Sequence, residues 1–230
     1  MKAFKVDLDS SENQNILRSS ACPFNHQAHQ VDKVAKKIYE LIEGAKHSND
    51  DIILNHNEIK EAFFSPFKPQ LKNAQVFLSH SHADKDKALK VKGYLEEYRD
   101  AECVFIDSLF WDYKDDVLSK LAKYDDISKI EDAFTLILRE SLEDMIKKCP
   151  YFVFLQSSNS VSNQWLSRNQ DLLKITYSAW IYEELKIAHS ISESRPIPMM
   201  ESMQVFHDIS PFLESFETIR LSELSRIINS

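Results

Sequence analysis

A cluster of hydroxyl, imidazole and carboxyl groups follows the short apolar run Val76–Leu78. Its sequence is Ser79-His80-Ser81-His82-Ala83-Asp84, and a charged helical pattern begins directly after it. A short apolar run followed by such a pattern predicts a buried strand, Val76–Ser79, that leads into a helix, Ala83–Tyr98. In an open α/β sheet, the carboxyl end of a strand is where ligands bind. The sequence therefore predicts a binding or catalytic site at this turn.

The same cluster contains residue types that bind metals or act in hydrolases, but their spacing favours neither function. His80 and His82 share a face only while a strand continues, and the apolar run has ended by then. This favours a turn, with Asp84 in the first turn of the following helix. A serine–histidine dyad is disfavoured because the chain has no G-x-S-x-G sequence and adjacent residues seldom align as nucleophile and base.

The cysteines give no strong sign of a metal site. Cys22, His26 and His29 have a spacing loosely like that of zinc ligands, but no fourth ligand is in view. Cys103 and Cys149 fall in or beside predicted strands, and we expect both to be reduced core residues. We therefore expect no metal.

The composition disfavours several classes of protein. The chain has 230 residues and a formal net charge of −8, whereas nucleic-acid binding needs a basic surface. Its two glycines, Gly44 and Gly93, cannot form a G-x-G-x-x-G turn or a phosphate loop. No apolar run approaches the roughly 18 residues of a membrane-spanning helix, and the N-terminus lacks the apolar core of a signal peptide. We expect a cytoplasmic protein with no nucleic-acid or membrane partner.

The elements that must position the cluster alternate between strand and helix after Pro69. Four further strands are predicted, at Cys103–Ile106, Tyr151–Leu155, Ile197–Met200 and Glu217–Leu221. Further helices are predicted at Ala133–Lys148, Leu172–Ser190 and Ser222–Ile228. The acidic run Asp112–Asp126 is interpreted as a solvated loop and short helix. This alternation predicts an α/β fold with a doubly wound parallel sheet of about five strands.

Residues 1–70 are predicted to form an N-terminal helical extension to a domain over residues 71–230. Residues 1–30 are polar, and we expect them to be irregular. A helical pattern then runs from Val31 to about Gly44. A second helix has Ile59 and Phe63 on one face. The prolines of Ser65–Pro69 break the chain and mark the predicted boundary.

The helix around Glu184 carries a second set of reactive groups. At about 100° per residue, Ile181 and Leu185 lie on the face expected to pack on the sheet. Glu184 borders that face, with Trp180 one turn before it, whereas Glu183 points toward water. At the border of a buried face beside an aromatic ring, desolvation can raise the pKa of a carboxyl group. The spacing alone favours a structural carboxylate at the flank of the helix, paired with a lysine.

Four segments in this order resemble the motifs of TIR (Toll/interleukin-1 receptor) domains, especially bacterial ones. Residues 76–86 resemble the first strand and its turn, and Val104–Asp107 with Trp111 resembles the second strand and the start of the BB loop. Residues 151–160 resemble the third strand and its exit. Trp180-x-x-x-Glu184 resembles the helix whose glutamate is catalytic in NAD-consuming TIR domains. The resemblance covers about residues 74–225.

The resemblance implies a flavodoxin-like fold and cleavage of NAD in intracellular signalling or defence, with NAD as substrate and no bound cofactor. Glu184 would be catalytic. The residues implied to line the nucleotide site are Ser79, His80, His82, Asp84, Asp107, Trp111 and Trp180. The partners implied are other TIR domains, with homo-oligomers forming on activation. The alternatives are a non-enzymatic TIR scaffold and a nucleotide-binding sensor.

One departure from the family pattern leaves the start of the catalytic helix open. The segment 159–165 also looks like the usual approach to that helix and ends in Trp165, but position 169 is Asn rather than Glu. Either Trp165 begins an insertion and Trp180 with Glu184 is the true pair, or the pattern is split and the acid is absent from its usual place. The helical wheel favours Glu184.

Overall fold

The computed structural model describes residues 1–20, 31–45, 55–65, 67–97, 103–122, 128–164, 173–193 and 207–229. Its strands are β1 (Lys2–Asp7), β2 (Val76–Ser79), β3 (Val104–Ile106), β4 (Tyr151–Gln156), β5 (Ser162–Gln164), β6 (Leu173–Thr176), β7 (His207–Asp208) and β8 (Glu217–Thr218). Its helices are α1 (Ser11–Ser19), α2 (Val31–Ala45), α3 (His56–Phe64), α4 (Lys68–Asn73), α5 (Lys85–Glu96), α6 (Asp107–Leu121), α7 (Ser128–Lys148), α8 (Ala179–Glu193), α9 (Ser210–Ser215) and α10 (Leu221–Ile228). A 3₁₀ turn, His82–Asp84, precedes α5.

Five strands form an all-parallel sheet in the order β3-β2-β4-β1-β8. The apolar residues of β2, β3 and β4 are buried almost throughout, as expected for parallel strands covered on both faces. Aromatic rings hold neighbouring strands together, since Phe77 stacks on Phe105 at 5.7 Å and on Phe152 at 5.8 Å between ring centroids. The predicted fold class, a flavodoxin-like doubly wound α/β sheet, is confirmed.

The N-terminal segment contributes a strand that the sequence pattern did not indicate. Residues 1–30 were expected to be irregular, but β1 lies between β4 and β8 and pairs with β4 over its whole length. Its only buried side chains are Phe4 and Val6, and charged residues lie before, between and after them (Lys2, Lys5 and Asp7). Two apolar residues among charged ones are a weak sequence signal for a strand. Pairing with the strands on both sides supplies most of the stabilisation of β1.

Two other predicted elements are wrong. The predicted helix Leu172–Ser190 begins only at Ala179, because residues 173–176 form β6, which pairs antiparallel with β5 and β7 in a second, three-stranded sheet. The stretch after Asp107, interpreted as a loop with only a short helix, contains the 15-residue helix α6, whose Val117 and Leu121 are buried one turn apart. The predicted strand Ile197–Met200 lies outside the described residues.

The chain divides into two compact units that do not follow a single boundary at residue 70. The first unit comprises Met1–Pro23, Asn73–Asp107 and Met145–Ser230 and contains the parallel sheet. The second comprises Phe24–Lys72 and Ser108–Asp144. Its described residues include the predicted helices α2 and α3. Residues from each side of the predicted boundary thus occur in both units.

The second unit has its own apolar core and a charged contact between α3 and α7. The ring of Phe63 meets that of Phe134 edge to face at 6.3 Å. On the surface, Lys60 Nζ lies 2.8 Å from Asp144 Oδ2, and His56 Nε2 lies 2.9 Å from Glu140 Oε2.

None of the helices in the described part of the chain has the length and apolar character needed to cross a membrane.

Candidate functional site

The carboxyl ends of β2 and β4 form the point at which the strand order reverses. From β2 the chain moves outward to β3 and then returns to the other side of β2 to form β4. In sheets of this kind, the crevice outside such a point is the usual place for a ligand. Ser79 is the last residue of β2 and Ser157 directly follows β4, and both are buried. We call this region the carboxyl edge.

Helix α8 brings Glu184 to the carboxyl edge. The helix begins after Ser178, whose hydroxyl accepts a hydrogen bond from the backbone N–H of Ile181 at 3.2 Å. Ile181 and Leu185 are buried as the helical wheel predicted, and Glu184 is buried with them at 0% exposure. The Ser79 hydroxyl donates to Oε2 of Glu184 at 2.5 Å. The structure thus joins the two ends of the predicted site, which are 105 residues apart.

Glu183, the neighbouring acid, has a different environment from the one expected. It was predicted to point into water, but its side chain is only 23% exposed. Its Oε1 lies 3.5 Å from Nζ of Lys186, which is itself buried and sits 5.5 Å from the centre of the Tyr182 ring. The side chain of Glu183 therefore lies along the helix surface beside Lys186 instead of extending into water. Burial, followed by the negative charge of Glu183, raises the pKa of Tyr182 above its ordinary value.

Asp84 is a second buried carboxylate at this edge, held by three side chains. Its Oδ2 accepts a hydrogen bond from the Ser157 hydroxyl at 2.5 Å, and its Oδ1 accepts one from Asn159 Nδ2 at 3.0 Å. Lys87 Nζ lies 2.9 Å from the same Oδ1. Burial by itself would raise the pKa of Asp84, but the hydrogen bonds from Ser157, Lys87 and Asn159 outweigh it and hold the pKa below its ordinary value. We call these four residues the Asp84 network.

The Asp84 network continues to the end of β1. Lys87 Nζ lies 3.8 Å from Asp9 Oδ1, and Asp9 Oδ2 accepts a hydrogen bond from the backbone N–H of Ser158 at 2.9 Å. The hydrogen bond that Lys87 donates to Asp84 outweighs burial and raises the pKa of Lys87 above its ordinary value. The network therefore fastens the loops after β1, β2 and β4 to one another, and it stabilises the shape of the carboxyl edge.

The other predicted site residues lie after β2 and β3 and on helices α6 and α8. His80 directly follows Ser79 and is buried, whereas His82 in the 3₁₀ turn is exposed. Trp180 is half-buried on α8, one turn before Glu184. Asp107 directly follows β3 and begins α6, and Trp111 lies in α6. The side chains of Asp107 and Trp111 lie outside the described part of the structure, as does all of Trp165.

Sequence reasoning missed Ser157, Asn159, Lys87 and Asp9 as members of this region. The signal for the first two was present, because a polar Ser-Ser-Asn run follows an apolar strand just as the cluster at Ser79 does. Lys87 and Asp9 had no comparable signal. A lysine on a charged helix and an aspartate near the N-terminus are ordinary surface residues until the tertiary structure brings them together.

Neither metal binding nor thiol chemistry is supported at the described residues. No group of three or more His, Cys, Asp or Glu side chains in that part of the chain is placed to hold a metal ion. Cys103 and Cys149 are buried and form no disulfide, as predicted. Burial raises the pKa of the Cys149 thiol to about 12, although Lys148 acts in the opposite direction, so this thiol is not a nucleophile near neutral pH. Cys22, His26 and His29 lie outside the described residues.

The carboxyl edge can therefore offer one type of reactive group, a buried carboxylate on a helix that carries a tryptophan one turn earlier. Such a group can stabilise positive charge that develops on a substrate, or remove a proton from it. Comparison of the chain with protein-family models, with curated proteins and with solved structures gives no match.

Proposed function

We propose that this protein cleaves NAD at the bond between nicotinamide and ribose. The observation that carries the proposal is the buried Glu184 carboxylate, which the Ser79 hydroxyl holds at 2.5 Å at the point where the strand order reverses. The resemblance of residues 76–86, 104–111, 151–160 and 180–184 to TIR domains supplies the substrate class. Nicotinamide leaves, and the ribose carbon takes a hydroxyl from water or a bond to the adenine ring, which gives ADP-ribose or a cyclised form.

The chemistry needs few groups. Cleavage of this glycosidic bond passes through a state in which positive charge develops on the ribose ring. A carboxylate beside the ribose stabilises that charge and orients the ribose hydroxyls or the attacking water. Nicotinamide departs as a neutral ring, so no separate general acid is required. One glutamate, Glu184, with the indole of Trp180 to stack on a base is sufficient for this mechanism.

The remaining residues of the site are part of the proposal. Ser79, His80, His82 and Asp84 belong to the side of the site nearest the turn after β2. Asp107 directly follows β3. The participation of these five residues rests on the resemblance and on their positions after parallel strands, whose carboxyl ends meet at one edge of a sheet. The role of Trp111 rests on the resemblance alone.

The complete burial of Glu184 sets a condition on the proposal. A carboxylate at 0% exposure is covered in this structure, so NAD binding must accompany a movement that uncovers it. We propose that self-association, which the TIR resemblance implies, produces this opening in a cytoplasmic signalling or defence setting. We therefore expect turnover to rise with protein concentration.

The direct test is to incubate the protein with NAD and to follow nicotinamide by chromatography. The incubation is repeated over a range of protein concentrations and with a crowding agent. Glu184→Gln keeps the size of the side chain and an acceptor for Ser79 but removes the charge. Glu183→Gln makes the same change one residue away on the same helix. We expect release by the wild type and by Glu183→Gln, and loss of release in Glu184→Gln. No release by the wild type in any state of assembly would refute the proposal.

A second candidate function, a non-enzymatic TIR scaffold, is favoured by that same complete burial. A carboxylate buried in a protein is more often structural than catalytic. This candidate predicts self-association that survives Glu184→Gln, with no NAD turnover by any variant. A nucleotide sensor would instead bind NAD saturably and return it intact, which the same chromatogram distinguishes.

A further inference from the structure

We infer that Ser79 is a positioning residue, whose hydroxyl fixes the orientation of the Glu184 carboxylate, rather than a residue that contacts the nucleotide. The inference rests on the proposed function and changes the role implied for Ser79 by the family resemblance. It depends on the place of Ser79 in the sheet, on the geometry of its hydrogen bond and on the flexibility of the glutamate side chain.

The first step is the immobility of Ser79. It ends β2, a strand with parallel partners on both sides, and it is in register with Phe154 of β4. The residue is completely buried. Glu184 is equally buried, but it lies on helix α8, whereas the backbone of Ser79 is paired within a central strand and has little freedom to turn the side chain outward.

The second step is the use of the hydroxyl proton. A serine hydroxyl has a single proton to donate, and here it is donated to Oε2 of Glu184 at 2.5 Å. Hydrogen bonds from a hydroxyl to a carboxylate are among the shorter and stronger ones in proteins. A phosphate oxygen of a nucleotide would need that same proton. Ser79 therefore cannot donate to a phosphate and to Glu184 at once.

The third step is what the bond does for Glu184. Helix α8 fixes the backbone of this residue, but three rotatable bonds separate that backbone from the carboxylate. The bond to Ser79 ties the carboxylate to the central part of the sheet and so selects one orientation. A misplacement of about 1 Å at a reacting group can cost about 100-fold in rate. Ser79 thus affects the rate of the chemical step and not the binding of NAD.

The test measures kcat and KM for NAD in Ser79→Ala, Ser79→Thr and Ser79→Cys. Ser141→Ala is the matched control, because Ser141 is another buried serine whose hydroxyl donates to a backbone carbonyl, that of Ile137, at 2.6 Å. We expect Ser79→Ala to lower kcat by about 10- to 100-fold with KM within about twofold. Ser79→Thr, which keeps the hydroxyl, restores most of kcat. Ser141→Ala leaves both constants near those of the wild type.

The outcomes separate this inference from the proposed function. A wild-type kcat in Ser79→Ala, in a protein that loses turnover in Glu184→Gln, would overturn the inference and leave the proposed function standing. A raised KM with kcat unchanged would overturn it as well, because Ser79 would then contact NAD. An inactive wild type would overturn both. If Ser79→Ala does not fold, Ser79→Cys takes its place, because cysteine is close to serine in size and only a weak donor. The criterion is the same: a lowered kcat with KM within about twofold of the wild-type value.

Discussion

Asp84 and Glu184 are two buried carboxylates at the same edge of one sheet, and each accepts a hydrogen bond from a serine hydroxyl at 2.5 Å. Their surroundings differ. Asp84 also takes a hydrogen bond from Asn159 and an ion pair from Lys87, and its partners tie together three loops. The described bond at Glu184 comes from a neutral hydroxyl on the central part of the sheet.

This difference separates a structural carboxylate from a candidate catalytic one. A carboxylate that shares its charge with a lysine and fills both oxygens with donors is stabilised as it stands, and any reaction that used it would first have to break those contacts. The hydrogen bond from Ser79 ties Glu184 to the end of a single strand. Under the proposed function, Asp84 shapes the carboxyl edge and Glu184 is the group that carries out the chemistry.

The largest expected difference between the two carboxylates is in turnover. Glu184→Gln should lower kcat for NAD by about 100-fold or more, the usual effect of losing a positioned acid–base or charge-stabilising group. Asp84→Asn should lower kcat by less than about tenfold, because Asp84 acts through the loops it holds. Nicotinamide release at saturating NAD measures both variants. Equal losses would place Asp84 among the reacting groups and remove the distinction.

The next effect is on stability and should be greatest at Asp84. Asp84→Ala leaves the buried hydroxyl of Ser157 without its acceptor, which costs about 1–3 kcal/mol, whereas the amide of Asn159 is exposed and can bond to water. We expect the free energy of unfolding in urea to fall by about 1–3 kcal/mol. Asp86→Ala is the control, because Asp86 is exposed in the same first turn of α5. Its change should be within about 0.5 kcal/mol. A comparable loss of unfolding free energy in Asp86→Ala would show that the hydrogen bonds of the Asp84 network do not account for the effect.

Acid should weaken the fold through Asp84. Its pKa in the folded protein is lowered, so between that pKa and the unfolded value of about 3.9 the unfolded chain binds more protons than the folded one. Stability from this group is therefore present above about pH 4 and is lost as the pH falls through the folded pKa. Urea unfolding between about pH 2 and pH 5 measures the slope, which Asp84→Asn should flatten. An unchanged slope in this variant would mean that other carboxyl groups account for the acid sensitivity.

The smallest effect should come from the cation of the Asp84 network. The Lys87 side chain is 42% exposed, and an ion pair that reaches solvent contributes about 0–1 kcal/mol and less at high salt. Lys87→Gln should therefore change the free energy of unfolding by no more than about 1 kcal/mol. Lys92 gives the contrast, because it is buried and donates to Glu96 and to the carbonyl of Val104. If Lys87→Gln costs as much as Lys92→Gln, the charge on Lys87 holds the carboxyl edge together more than its exposure implies.

The fold was predictable where apolar residues run together without interruption. The strands β2, β3 and β4 and the helices α5 and α10 begin and end within a few residues of their predicted bounds. In these segments burial on both faces of a strand, or on one face of a helix, leaves its pattern in the sequence itself. The class of fold follows from the order of those segments.

The errors have a common cause, which is that pairing partners are not visible in a local pattern. β1 has two buried apolar side chains and is stabilised by hydrogen bonds to β4 and β8. β6 looks like the start of a helix because Leu173 and Ile175 stand close to the helical pattern of α8, and its pairing with β5 and β7 decides otherwise. Short strands of this kind depend more on their neighbours than on their own propensity.

For the site, the sequence by itself determined which residue types follow the strands and on which side of α8 Glu184 lies. Both follow from the spacing of apolar residues, which has a period of about two in strands and about 3.6 in helices. Only the tertiary structure decided that Ser79 donates to Glu184 and that Asp84 is enclosed by Ser157, Asn159 and Lys87. Those contacts join residues up to 105 positions apart. Hydrogen bonds of a few ångströms are set by how helix and sheet pack together, and no local pattern records that distance.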